Sequence, residues 1–177
     1  MIKDISYYLI NYIINRIPSR KVRMYIYSII TKGRINKKAS ISVRVQFLNI
    51  MNVYISDNVN INRDCIIDGR GGKIIMENNV DIAPQVNIWT LQHDVDTKNH
   101  DIIHSDVIIH SGAWICNRAI ILPGSIINKD AVIGAGVSFK GIAQEGEIIV
   151  QNKYRVLDKK KRTLDSKFKL SRIRRFR

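Results

Sequence analysis

The chain is 177 residues and 20.4 kDa, room for one domain with a full core and not for two. Apolar residues are 45% of it and charged residues 25%, which excludes a disordered chain, and no run of 18 apolar residues offers a membrane-spanning helix. The net charge of +14 divides into +8 over residues 1–38, −4 over 39–150 and +10 over 151–177, so basicity belongs to the ends and function is sought in the mildly acidic middle.

Residues 1–34 read as an N-terminal amphipathic helical segment. Apolar residues at Leu9, Tyr12, Ile13 and Ile17, then at Val22, Tyr25, Ile26, Ile29 and Ile30, fall at helical spacing. Pro18 separates two short helices and Gly33 stops the second. Such a pair suits a cap over the open end of a repeat structure. With Arg16, Arg20, Lys21 and Arg23 interleaved, it also suits an interfacial element on anionic lipid.

Residues 35–149 repeat with a period of six. Large apolar residues stand at Ile35, Ile41 and Phe47, at Ile55, Ile61 and Ile67, at Met76, Ile82 and Ile88, and from Ile109 through Ile115, Ile121, Ile127 and Ile133 to Phe139. Four positions on are smaller residues, among them Ala39, Cys65, Gly71, Ala113, Ala119, Ser125 and Ala131. An α-helix would scatter a period of six around its axis, and a flat strand alternates every two residues. Six-residue units suit a triangular solenoid: one short strand per face, the large residue inward, the small residue permitting the turn, three units to a coil. The fold expected is mainly β, a parallel β-helix of five to six coils, with breaks of 8, 9 and 21 residues leaving it as bulges or loops.

The longest break, at about 90–106, holds TLQHDVDTKNHDIIHSD, with three of the four histidines and four aspartates in 17 residues. Long structured loops are commonly functional. Residues 150–177 form a basic C-terminal tail, and no nucleic-acid motif accompanies its charge. Cys65 and Cys116 show neither zinc-type pairing nor a signal-peptide context, which points to the cytosol.

Two stretches, DCIIDGRGGKIIMENNVDIAPQVNIWTLQHDVD from Asp64 and GAWICNRAIILPGSIINKDAVIGAG from Gly112, combine His-Asp in a loop, Trp-Ile opening a coil and Leu-Pro-Gly one face later. On these residues the chain resembles the hexapeptide-repeat acyltransferases of left-handed parallel β-helix fold, nearest the maltose, nodulation-factor and colanic-acid O-acetyltransferases, over about 115 of its 177 residues. The resemblance implies the left hand of the helix, a homotrimer with its sites between subunits, acetyl-CoA as cosubstrate without a metal, and a sugar acceptor. It implies His93 as general base with Asp94 holding its tautomer, and His100, His104 and His110 as solvated or loop-ordering residues. Trp114 would line the acetyl-CoA site, with Asn117 on the pantetheine arm, Ala135 one coil above, Lys140 near the pyrophosphate and Arg155 on phosphate. Asn62 and Asn87 would contact the acceptor.

The chain departs from the family pattern where Ile115-Cys116 and Ile127-Asn128 replace Ile-Gly, and where VQNKYRVL replaces a Gly-Asn-Pro-Ala segment that holds the adenine end of CoA. The expectation is an acetyl-CoA-dependent O-acetyltransferase of surface polysaccharide biosynthesis, cytoplasmic and peripheral to the membrane. The alternatives are a non-catalytic scaffold attached to membranes through its basic ends, and a γ-carbonic-anhydrase-like metalloenzyme. The last needs a pair of histidines five apart, whereas the spacings here are four (His100, His104) and six (His104, His110).

Overall fold

The computed structural model of the chain describes residues 2–94, 96–97, 99 and 101–150; His100, Arg155 and the tail from residue 151 lie outside them. Helix α1 (Ile2–Tyr8) runs into a π-helical turn, Leu9–Ile13, and a 3-10 turn, Ile14–Arg16; past Pro18 comes α2 (Arg20–Ile30). The strands then wind in coils. The first holds β1 (Ser40–Ile41), β2 (Gln46–Leu48) and β3 (Val53–Ile55), the second β4 (Asn60–Ile61), β5 (Ile66–Asp68) and β6 (Ile74–Met76). In the third, β7 (Asp81–Ile82) and β8 (Asn87–Trp89) are followed by a hairpin, β9 (Leu91–His93) and β10 (Ile102–His104), before β11 (Val107–Ile109) completes the turn. The fourth is β12 (Trp114–Ile115), β13 (Ile120–Ile121) and β14 (Ile126–Ile127), the fifth β15 (Val132–Ile133), β16 (Ser138–Phe139) and β17 (Ile142–Ala143), and β18 (Ile148–Ile149) opens a sixth.

Parallel pairing stacks these strands into three faces: β1, β4, β7, β12, β15 and β18 on face one, β2, β5, β8, β13 and β16 on face two, β3, β6, β11, β14 and β17 on face three. The large member of each six-residue unit points inward, and register turns these residues into ladders. Ile41, Ile61, Ile82, Ile115 and Ile133 stack inside face one, and Phe47, Ile67, Ile88, Ile121 and Phe139 inside face two. Ile55, Met76, Ile109, Ile127 and Ala143 stack inside face three, and every rung is buried. Each Ile, Phe or Met rung is worth about 1.5–3 kcal/mol of apolar burial, supplied by stacked neighbouring coils.

The small residues do a different job from the one expected. Ala113, Ala119, Ser125 and Ala131 are fully buried, on the inside of the corners. The turn is made one residue earlier, in left-handed backbone: Arg44, Asp64, Gln85, Arg118 and Gly136 at the corner between faces one and two, and Asn58, Asn79, Gly112, Asp130 and Gly146 between faces three and one. Asn, Asp and Gly bear that conformation at least cost. At Gly112 a Cβ would also strike the Asp130 carboxylate of the coil above.

All three breaks leave the prism at the remaining corner, between faces two and three. They are a 3-10 turn (Ile50–Asn52), the Gly69–Gly72 turn and the β9–β10 hairpin, one above another.

The N-terminal helices cap the solenoid, but through the stripe opposite to the apolar one read in the sequence. A bare first coil would expose strand edges to any passing chain. The Asn11 side chain pairs with β2 as a strand would, accepting from Phe47 N–H at 2.8 Å and donating to Phe47 C=O at 3.0 Å. Asn15 Nδ2 donates to Val45 C=O, and buried Arg23 donates to Ile41 C=O at 2.8 Å and to Ile17 C=O. Ile35 bridges Ile55 on the third edge. The inward stripe is half polar because those edges are hydrogen-bonding groups. Leu9, Tyr12, Ile13, Val22, Tyr25 and Ile29 are left exposed.

Candidate active site

The hairpin that carries His93 is clamped at its foot. Thr90, fully buried, donates through Oγ1 to Asp68 C=O at 2.6 Å and accepts from Gly71 N–H at 3.0 Å, while its carbonyl accepts from Ser105 N–H at 3.0 Å. Gly71 is required there, since a Cβ would run into the Thr90 carbonyl. Asp68, also fully buried, takes a bidentate pair from Arg70 Nε and Nη2, both at 2.9 Å, and the Arg70 N–H. At the other leg Asp106 Oδ1 accepts from Lys73 N–H and its carbonyl from Gly124 N–H at 3.1 Å. The hairpin is thus tied to the coil below and the coil above. None of Asp68, Arg70, Thr90 or Asp106 stood out in the sequence as a positioning residue.

Within the hairpin, His93 pairs with Ile102 and Leu91 with His104. Alternation along a strand puts both histidines on one side of it. His93 is exposed. Asp94 Oδ1 accepts from Asp96 N–H at 3.0 Å and the Asp94 N–H donates to Asp101 C=O at 2.8 Å, so this carboxylate shapes the hairpin's turn. His110 stands elsewhere, at the corner between faces three and one, with Nδ1 3.0 Å from Glu77 Oε1. Ser111 donates to the same carboxylate through its N–H and its hydroxyl. Burial pushes the Glu77 carboxyl up, and the His110 and Ser111 contacts outweigh it, holding the group below its ordinary range. Among the described residues no three His, Cys, Asp or Glu side chains gather as a metal site.

The residues expected along acetyl-CoA sit on the upper coils. Trp114 lies on the outside of face one, 48% exposed, between Asp81 below and Val132 above. Asn117 turns the corner between faces one and two, donating to Pro84 C=O at 2.6 Å and accepting from Gly136 N–H at 3.0 Å. That last bond stacks exposed Ala135 over it. Asn62 occupies the same corner two coils lower, its Nδ2 donating to Ile82 C=O at 2.9 Å. Asn87 lies on the outside of face two between Ile66 and Ile120. Exposed Lys140 is in the fifth coil but at the hairpin corner, a full face away from Asn117 and Ala135.

Trp114, Asn117 and Ala135 therefore gather at one corner, and His93 with Lys140 at the next. Crossing face two from Cys116 to Leu122 takes six residues, on the order of 20 Å of extended chain. One chain alone keeps the two groups apart.

The architecture is the left-handed parallel β-helix of hexapeptide-repeat acetyltransferases. The hexapeptide-repeat acetyltransferase VCA0836 of Vibrio cholerae, solved with acetyl-coenzyme A, matches with a TM-score of 0.73 at 19% identity over 84% of this chain and 82% of its own. A galactoside acetyltransferase solved with coenzyme A matches with a TM-score of 0.68 at 23% identity, over 82% and 72%. In sequence, YJL218W of Saccharomyces cerevisiae, provisionally named an acetyltransferase, is 38% identical over 88 residues, 48% of this chain and 44% of that protein. The match thus spans less than half of that relative's length. No family model matches the chain.

Proposed function

We propose that the protein is an acetyl-CoA-dependent O-acetyltransferase acting on a sugar hydroxyl, a homotrimer on the cytoplasmic side of the membrane that serves surface polysaccharide assembly. The observation that carries this reading is an exposed histidine on a hairpin clamped to the solenoid at both legs, in a fold shared with acetyltransferases solved with coenzyme A. His93 accepts the proton of the acceptor hydroxyl as that oxygen attacks the thioester carbonyl. The tetrahedral intermediate collapses with loss of the C–S bond, and the imidazolium returns its proton to the departing CoA thiolate. Asp94 acts as a positioning residue, holding the turn that presents His93.

The second subunit supplies what one chain separates, its Trp114–Asn117–Ala135 corner meeting the hairpin of its neighbour. The outside of face three favours such packing: Tyr54, Ile75, Ile108, Ile126 and Ile142 form an outer ladder behind the inner one. Strands apolar on both sides are those covered on both sides. Light scattering should give a trimer, and Ile126→Lys should give monomers that no longer transfer acetyl groups.

The test is transfer from labelled acetyl-CoA to a panel of sugars and sugar-linked precursors. His93→Ala should lower transfer by ~100-fold with the melt and the acetyl-CoA affinity unchanged. Wild-type turnover by that variant would remove His93 from its role.

A further inference from the structure

We propose that the outer face of the helical cap docks on an anionic membrane surface. The cap is built inside out relative to an ordinary amphipathic helix, which buries its apolar stripe and shows a polar one. Here the buried stripe holds Asn11, Asn15 and Arg23 beside Ile10, Met24 and Tyr27. The stripe facing away from the solenoid is Ile5, Tyr8, Leu9, Tyr12 and Ile13 on the first helical run, 42–57% exposed, and Val22, Tyr25 and Ile29 on α2, 46–63% exposed. Those spacings of three and four residues make two continuous apolar lines. With Tyr7, nine of the 14 large apolar side chains exposed among the described residues fall in this one segment.

Charge selects the occupant. Residues 5–56 contain no acidic residue and nine Lys or Arg. Of these Arg16, Arg20, Lys21 and Lys32 on and beside the helices are exposed, as are Lys37 and Lys38 in the turn before β1, Lys38 pairing with Asp57 at 3.3 Å. A second copy would set this basic face against its like, and the chain's own residues 151–177, with twelve basic residues to two acidic, repel it as well. An anionic bilayer surface satisfies both parts, taking the aliphatic side chains below its headgroups and the cations among them. Tyrosines hold the boundary between the two zones; Tyr8 and Tyr12 stack there at 5.1 Å.

Docking by the cap stands the solenoid on its first coil. The catalytic hairpin, in the third coil, then lies about 10 Å above that coil at ~4.8 Å per coil, within reach of an acceptor anchored in the same membrane.

The test is co-sedimentation of the full chain with vesicles of phosphatidylcholine alone and of phosphatidylcholine with phosphatidylglycerol. Leu9→Ser/Ile13→Ser/Ile29→Ser removes three outward side chains and leaves every cap hydrogen bond in place. Wild type should bind the anionic vesicles at least ~10-fold better than the neutral ones, and the triple variant should lose at least ~10-fold of that binding with an unchanged melt. Equal binding by wild type and variant would overturn the proposal, since charge alone would then suffice. A wild-type chain that ignores vesicles but forms larger assemblies broken by the triple variant would overturn it in favour of a second copy. Neither readout involves acetyl transfer, so an inactive protein that docks, or an active one that does not, separates this proposal from the enzymatic one.

Discussion

Thr90→Val isolates the clamp under the hairpin that carries His93. The two side chains have nearly the same shape, so the change removes a hydroxyl and little else. Thr90 Oγ1 loses its 2.6 Å bond to Asp68 C=O, which keeps the weaker 3.2 Å bond from the Thr90 N–H. The Gly71 N–H, bonded to Oγ1 at 3.0 Å, loses its partner beside a buried methyl. One lost net hydrogen bond and one unsatisfied donor cost about 2–3 kcal/mol. For a chain of this length that is a fall of roughly 4–12 °C in Tm. The hairpin's foot loosens, and a displacement on the order of 1 Å at His93 lowers kcat by up to ~100-fold. The Trp114–Asn117–Ala135 corner lies across face two, so the acetyl-CoA affinity proposed for it should be unchanged. The assay pairs calorimetric melting with transfer kinetics on wild type, Thr90→Val and Thr90→Ser, the last retaining the hydroxyl. If Thr90→Val melts and turns over like Thr90→Ser, the clamp does not hold the hairpin.

Three other outcomes are expected. Asn11→Leu deprives Phe47 N–H and C=O of their partner at the cap edge and should destabilise by about 2–4 kcal/mol and promote end-on association; a denaturant titration with the wild-type midpoint would contradict it. Glu77 titrates below its ordinary value in the folded chain, so the stability it adds is full above the ordinary glutamate range and fades as pH falls through the lower folded value. The gap in Tm between wild type and Glu77→Gln should therefore narrow on acidification from neutrality, and a gap independent of pH would contradict the His110 and Ser111 contacts. Burial pushes the Cys65 thiol up to about 11; burial and the Asp81 carboxylate also raise the thiol of partly buried Cys116, which adjoins Asn117. Accessibility should make alkylation modify Cys116 first, and acetyl-CoA should slow it if the pantetheine arm follows that corner.

The inward ladders were legible because a period of six in large apolar residues has one solution in which every rung is buried. The bounds of the hairpin were legible for the same reason: register fails after Ile88 and resumes before Ile109. The turns were misassigned to Ala113 and its counterparts, because inward small residues and left-handed corner residues are neighbours and share the period. Arg44, Gln85 and Arg118 hide the corner signal that Asn58, Asn79 and Gly112 give. Apolar spacing in the first 30 residues identified helices but left open which face meets the solenoid, since the strand edges they cover call for Asn11, Asn15 and Arg23. Motif order named His93, Trp114 and Asn117, yet linear order says nothing of which corner each occupies. Lys140 follows Ala135 by five residues and stands a face away.

Calorimetric titration of the purified protein with acetyl-CoA tests the central claim most directly, because it needs no knowledge of the acceptor. Micromolar binding, about −8 kcal/mol, lost in Trp114→Ala and in the monomeric Ile126→Lys and kept in His93→Ala, is the result expected of a donor site shared between subunits. A folded wild-type trimer that takes up no acetyl-CoA would contradict it, and would leave a hexapeptide-repeat solenoid without the acetyltransferase chemistry.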